Sequence, residues 1–127
     1  MKNLVINSEP DTPYYPEVVF NADTGVCEIS GESYMEEAYK FYAPLIDWLK
    51  EFVANSKKEL TINFKLIYFN TSSSRLLVDF LETLRKIKED GRDVTVNWYY
   101  DPEDPDVMDE VEDFEIESGM EIKLIEK

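Results

Sequence analysis

Apolar and polar residues alternate along several stretches of the chain, with the period of β-strands that have one buried face. This pattern predicts five strands, at 17–20, 26–30, 60–69, 93–100 and 122–125. The first two are joined by turn residues and predict a hairpin. The third becomes apolar on both faces near Ile67 and Phe69, so we expect it to be a central strand covered on both sides at that end.

Between the strands, apolar residues recur at the three- and four-residue spacing of amphipathic helices. The first helical pattern opens with a capping box, Ser33-Tyr-Met-Glu36, and continues to about Val53. Pro44 lies inside it and lacks a backbone donor, so we expect a kink or a break near Tyr42. The sequence therefore predicts that the first helix starts at Ser33.

This first helix is rich in aromatic residues, and part of them are expected to be exposed for a partner. Leu49 belongs to the apolar series that we expect to be buried. Adjacent helical positions lie about 100° apart. We therefore predict that Trp48 faces outward and anchors a partner, with Tyr34 and Tyr39 as further candidates.

Two more helical patterns complete the order of elements. Apolar spacing predicts a helix from about Ser73 to Asp90 that stops at Gly91, and a short helix or turn within segment 101–117. The order β-β-α-β-α-β-(α)-β predicts an α/β fold, in which helices pack on a mixed sheet of four or five strands. With 127 residues we expect a single domain, 1–127, whose first twelve residues are a loosely ordered segment or an edge strand.

The charge of the chain restricts its partners. The net charge is −15, and segment 101–117 contributes ten carboxylates and no basic residue. Nucleic acid and anionic membranes would be repelled, so we expect a protein partner. The start of the chain has no signal-peptide core and no segment approaches membrane-spanning length, so we expect a cytoplasmic protein.

Residue types also limit the chemistry. The chain has no histidine, only four glycines, and no nucleophile-elbow, P-loop or dinucleotide-binding motif. Carboxylates match positions 1, 3, 9 and 12 of a calcium loop, namely Asp101, Glu103, Asp109 and Glu112, but Pro105 and Asp106 stand at positions 5 and 6. We therefore expect no enzymatic activity, catalytic residue, metal site or cofactor.

Residues 68–75 read YFNTSSSR, which places four hydroxyls between a strand and a helix. Asn70, Thr71 or Ser72 would serve as the helix N-cap, which is the simplest interpretation. A single cap needs only one side chain, however. An exposed hydroxyl here would also be a phosphorylation site, because a phosphate would meet the positive end of the helix dipole, free backbone donors and Arg75.

The chain resembles the SiaC-like regulatory phosphoproteins of bacteria, which are linked with biofilm and cyclic-di-GMP control. Several segments carry the resemblance: Thr12-Pro13, Gly31-Glu-Ser-Tyr34, Glu36, Phe41-Tyr-Ala-Pro44, Trp48, Tyr68-Phe-Asn-Thr-Ser-Ser73, Trp98-Tyr-Tyr-Asp101 and 108–114. The family's fold is similar to the anti-sigma-factor-antagonist (STAS) domain. The resemblance therefore implies a STAS-like single domain.

The resemblance also implies a function. Thr71 matches the family's phosphorylated threonine, modified by a Ser/Thr kinase and cleared by a PP2C-type phosphatase; Ser72 and Ser73 are the fallback acceptors. Its expected neighbours are Asn70, Ser72, Ser73, Ser74 and Arg75. The unmodified form is expected to bind a signalling target such as a diguanylate cyclase. The alternative is a constitutive acidic binding module or inhibitor that uses segment 101–117.

Overall fold

The computed structural model describes residues 1–7 and 15–127; Thr12-Pro13 and the end of the N-terminal segment lie outside the described residues. The strands are β1 (Leu4–Ile6), β2 (Glu17–Phe20), β3 (Val26–Ser33), β4 (Leu60–Phe69), β5 (Val94–Tyr100) and β6 (Lys123–Glu126). The helices are α1 (Ala38–Asn55), α2 (Thr71–Glu89) and α3 (Pro105–Ser118). The predicted α/β class is confirmed.

All six strands form one mixed sheet in chain order, β1-β2-β3-β4-β5-β6. Pairs β1–β2 and β2–β3 are antiparallel, whereas β3–β4, β4–β5 and β5–β6 are parallel. The predicted count of four or five strands is one too low. The additional strand is the three-residue edge strand β1, and an edge strand was one of the two alternatives predicted for the first twelve residues.

The three helices lie on one face of the sheet. From β3 to β6, each strand is joined through one helix to the parallel strand beside it in the sheet. Such crossovers are right-handed, and because all three advance in the same direction across the sheet, their helices lie on the same side. Burial agrees, because the even positions of β4 from Leu60 to Leu66 are buried and the odd ones from Thr61 to Lys65 are half-buried. Among the residues that the structure describes, no helix covers the opposite face, which we call the open face.

The end of β4 contains a β-bulge. Gly31 pairs with Leu66 and Glu32 pairs with Tyr68, so Ile67 is an extra residue in the ladder. Ile67 is 60% exposed, and the expectation that this end is covered on both sides is wrong. The bulge reverses the alternation, so Phe69 packs toward the helices on Phe114, with 5.3 Å between ring centroids.

Helix α1 starts five residues later than predicted. Ser33 belongs to β3, where it pairs with Phe69, and the residue at the helix N-cap is Glu37, whose side chain makes no capping hydrogen bond. The predicted capping box is wrong because the strand pairing continues through Ser33. The helix then runs through Pro44 as one element of 18 residues, so the chain has no break near Tyr42.

Candidate functional site

The hydroxyl-rich turn joins the end of β4 to the start of α2. Asn70 is the N-cap, and its side-chain oxygen accepts a hydrogen bond from the backbone N–H of Ser73 at 2.9 Å. Its amide nitrogen donates to the carbonyl of Met35 at 3.2 Å, and its backbone N–H donates to the carbonyl of Ser33 at 3.0 Å. One residue therefore caps α2 and ties the turn to the segment before α1.

The three serines of the turn all make hydrogen bonds. Ser72 Oγ donates to the carbonyl of Glu36 at 3.1 Å, and Ser74 Oγ donates to the carbonyl of Asn70 at 3.0 Å. Ser73 is fully buried. This burial argues against Ser73 as a fallback phosphate acceptor, because a kinase cannot reach its hydroxyl in the folded chain.

Ser73 belongs to a buried polar cluster that the sequence did not predict. Ser33 Oγ lies 2.8 Å from Ser73 Oγ and 2.7 Å from the hydroxyl of Tyr42, and Ser73 Oγ lies 3.5 Å from the sulfur of Met35. Burial raises the pKa of Tyr42 well above its ordinary value, and the hydrogen bond to Ser33 offsets only part of this rise. The phenol is therefore neutral. The cluster fixes the N-terminus of α2 against α1.

Thr71 is the remaining hydroxyl. It is the first residue of α2, it is exposed, and its side chain makes no hydrogen bond to any residue that the structure describes. Arg75 is one turn further along the same helix face, exposed and without an ion pair in the described part of the chain. The turn thus presents one unengaged hydroxyl beside one unengaged guanidinium.

Thr71 and Arg75 line a cleft of about 650 Å³ between α2 and α3. The apolar lining residues are Phe69, Val78 and Phe114, and the acidic ones are Asp79, Glu110, Asp113 and Glu117. Partial burial, followed by the carboxylates of Asp104, Asp106 and Asp113, raises the pKa of Glu110. The structure therefore brings together the hydroxyl turn and the acidic segment, which the sequence presented as separate features.

The aromatic partner-binding candidates have different environments. Tyr39 is 56% exposed, and Tyr34 is half-buried with its ring edge-on to Tyr68 at 5.4 Å. Trp48 is only 7% exposed. The prediction that Trp48 faces outward is therefore wrong.

The indole of Trp48 is part of the core. Its ring stacks on Phe52 at 5.3 Å and meets Phe20 edge-on at 5.2 Å, and its N–H donates to the carbonyl of Lys2 at 3.0 Å. The buried stripe of α1 is wider than 100° and includes Trp48 and Leu49 together. The N-terminal segment beside β1 satisfies the indole N–H, which allows the ring to be buried.

Residues 1–7 and 15–127 contain no group of three or more His, Cys, Asp or Glu side chains arranged to hold a metal ion. Within the same residues, no helix has the length and apolar character needed to cross a membrane.

Comparison with known proteins gives concordant matches. The model of the SiaC family regulatory phosphoproteins matches residues 9–127. An uncharacterized protein of Pseudomonas aeruginosa strain UCBPP-PA14 is 31% identical over 105 residues, which are 83% of this chain and 83% of that protein.

Solved structures share the fold over almost the whole chain. The crystal structure of apo-SiaC from Pseudomonas aeruginosa is 29% identical, with a TM-score of 0.85 and 98% of both chains covered. A chain in the crystal structure of the diguanylate cyclase SiaD in complex with its activator SiaC, from the same organism, is 28% identical. Its TM-score is 0.87, with 98% of this chain and 99% of that chain covered.

Proposed function

Because the chain belongs to the SiaC family of regulatory phosphoproteins, we propose that it is a non-enzymatic regulator whose partner binding is switched by reversible phosphorylation of Thr71. The observation that carries this proposal is that the four hydroxyls of the turn have different environments. Ser72, Ser73 and Ser74 are engaged in hydrogen bonds, whereas Thr71 is exposed and its side chain is unengaged within the described residues. A kinase would find Thr71 accessible without unfolding the turn.

The surroundings of Thr71 also allow the folded chain to hold a phosphate. The group would sit at the N-terminus of a 19-residue helix, where the dipole and the free backbone N–H groups of the first turn favour negative charge. Arg75 is placed one turn away to form a charge-assisted pair with it. We therefore expect phosphorylation to change a binding surface and to leave the fold intact.

The proposed target is a diguanylate cyclase or a related signalling protein. SiaC of Pseudomonas aeruginosa is the activator of the diguanylate cyclase SiaD, and its chain in that complex aligns with 98% of this one. A cytoplasmic Ser/Thr kinase and a PP2C-type phosphatase would set the phosphorylation state. In this partner-switching scheme the unmodified form binds the target and the phosphorylated form does not.

The test uses three proteins: wild type, Thr71→Ala and the matched control Ser72→Ala. Each is purified from its own host, and phosphate is located by intact mass and peptide mapping. We expect one phosphate on wild type and on Ser72→Ala, and none on Thr71→Ala. Phosphate retained by Thr71→Ala, or its loss in Ser72→Ala, contradicts the assignment.

Binding is then measured with the host's diguanylate cyclase as the probe. Phosphorylated wild type should bind at least about tenfold more weakly than the unmodified protein, and Thr71→Ala should bind like the unmodified protein under all conditions. Thr71→Glu, which carries one charge in place of about two and differs from phosphothreonine in geometry, should be a partial mimic. Equal binding of the phosphorylated and unmodified forms contradicts the switch.

The second candidate function is a constitutive acidic binding module. Four carboxylates line the cleft beside Thr71, which favours a basic partner surface whatever the state of Thr71. The phosphorylated protein separates the two functions, because a constitutive module binds its target equally in both forms.

A further inference from the structure

The cleft between α2 and α3 has an apolar floor that is not filled by side chains of residues 1–7 or 15–127. Phe69 and Val78 are half-buried and Phe114 is buried, and all three line a space of about 650 Å³. Phe69 and Phe114 rest on the buried Trp98, with ring centroids 5.9 Å and 5.7 Å from it. Packing below the floor is therefore tight, and the open space lies above it.

The rim of this cleft is negative. Glu110, Asp113 and Glu117 recur at three- and four-residue spacing, so they project from one face of α3. Asp79 faces them from α2. None of these four carboxylates pairs with a Lys or Arg in the described part of the chain.

Arg75 is the single cation that lines the cleft among the described residues. The carboxylates that surround Glu110 raise its pKa, after the larger effect of partial burial. An additional positive group in the cleft would relieve this repulsion.

We infer that this cleft is the docking site for a protein segment that carries one aliphatic or aromatic anchor flanked by Lys or Arg residues. The anchor would cover the floor formed by Phe69, Val78 and Phe114, and the flanking cations would pair with the carboxylates of α3. The inference rests on the proposed function in one respect, because it assigns the partner contact to the N-terminus of α2.

This occupant determines how a phosphate on Thr71 would act. A basic segment is attracted by added negative charge, so repulsion cannot be what weakens binding. Thr71 lines the cleft, and the bulk of a phosphate there takes space from the anchor. The switch then works by steric exclusion, and substitutions that separate bulk from charge can test this.

The first experiment uses two synthetic amphipathic helical peptides as probes. They share the same Leu and Phe positions, and their flanking positions are all Lys in one and all Glu in the other. Fluorescence anisotropy with the full chain at about 0.15 M salt should show the Lys peptide binding at least about tenfold more tightly. Equal affinity for the two peptides overturns the inference.

Two variants with equal loss of charge distinguish the cleft from the general negative field. The cleft variant is Glu110→Gln, Asp113→Asn and Glu117→Gln. The control variant is Glu103→Gln, Asp109→Asn and Glu112→Gln, three exposed carboxylates of the same segment that do not line the cleft. The cleft variant should weaken Lys-peptide binding about tenfold and the control less than about threefold. Equal weakening by both variants overturns the inference.

A third comparison, Thr71→Gln against Thr71→Glu, tests the steric mechanism, because the two side chains have nearly the same size and differ in charge. Both variants should bind the Lys peptide more weakly than wild type does. Thr71→Glu should bind it at least as tightly as Thr71→Gln. Thr71→Glu binding at least about tenfold more weakly than Thr71→Gln would overturn the basic occupant. These peptide assays use no kinase. They can therefore contradict the docking site while the phosphorylation of Thr71 stands, and the phosphate mapping can contradict Thr71 as the phosphorylation site while the docking site stands.

Discussion

At the scale of single residues, the environment of a hydroxyl decides what chemistry it can undergo. To modify Ser73, a kinase would have to break its contacts with Ser33 and Met35 and open the buried cluster at the start of α2. Opening that cluster would leave buried polar groups unpaired, at a cost of about 1–3 kcal/mol each. Thr71 is only two positions from Ser73, but its exposed side chain has no hydrogen bond to break within the described residues. Modifying Thr71 therefore carries no such cost.

Trp48 gives a residue-scale prediction for stability. Its ring packs on Phe52 and Phe20, so Trp48→Ala should lower the free energy of unfolding by about 3–5 kcal/mol. Tyr39→Ala is the matched control, because Tyr39 is an aromatic residue of the same helix and is 56% exposed. Its effect should stay within about 0.5 kcal/mol in urea unfolding. Equal small losses for the two variants would place Trp48 on the surface.

At the scale of elements, the bulge in β4 determines which side chains build the cleft. In a regular ladder, with Ile67 paired to Glu32, Phe69 would alternate onto the open face of the sheet and the cleft would lose part of its floor. The bulge therefore connects the geometry of a strand to the geometry of the site.

The two neighbouring residues at the bulge give a matched pair for stability. Leu66 is 3% exposed and faces the helices, so Leu66→Thr should cost about 2–4 kcal/mol through a lost apolar group and a buried hydroxyl. Ile67 is 60% exposed on the open face, so Ile67→Thr should change stability by less than about 0.5 kcal/mol. Chemical denaturation measures both. Comparable losses would show that the open face is covered in solution.

Elements set by local patterns could be predicted from the sequence. The bounds of β4 match, and α2 begins two residues before its predicted start, because alternation and helical spacing are properties of neighbouring residues. The start of α1 could not be predicted, since Ser33 satisfies a capping pattern and yet pairs with Phe69 in the sheet. Long-range strand pairing overrode the local signal.

The same distinction holds for the candidate site. The hydroxyl-rich turn was visible in eight consecutive letters of sequence. Its position beside Glu110 and Asp113 was not, because α2 and α3 are separated along the chain by β5 and meet only through the order of strands in the sheet. Which hydroxyls are free likewise depends on Ser33, Met35 and Glu36, which lie far from them in sequence.

At the scale of the whole molecule, negative charge exceeds what the fold can pair. The net charge is −15, and segment 101–117 holds ten of the carboxylates. The ion pairs of the described residues are Lys40–Glu37, Lys65–Glu28 and Arg85–Glu89. Since these pairs are at the surface and screened by solvent, they add little to stability. Repulsion among carboxylates is therefore the larger electrostatic effect on stability.

This imbalance predicts that salt stabilises the fold. Raising NaCl from about 0.01 M to about 0.3 M shortens the screening length from about 30 Å to less than 10 Å, which weakens long-range repulsion more than contacts between paired groups. The thermal midpoint should rise by roughly 2–5 °C, on the order of 1 kcal/mol for a domain of this size. The variant Glu103→Gln, Asp109→Asn and Glu112→Gln should show a smaller rise, because three exposed charges of the acidic segment are removed. A midpoint that falls with salt would mean that the surface ion pairs outweigh the repulsion, and the electrostatic account of this chain would be wrong.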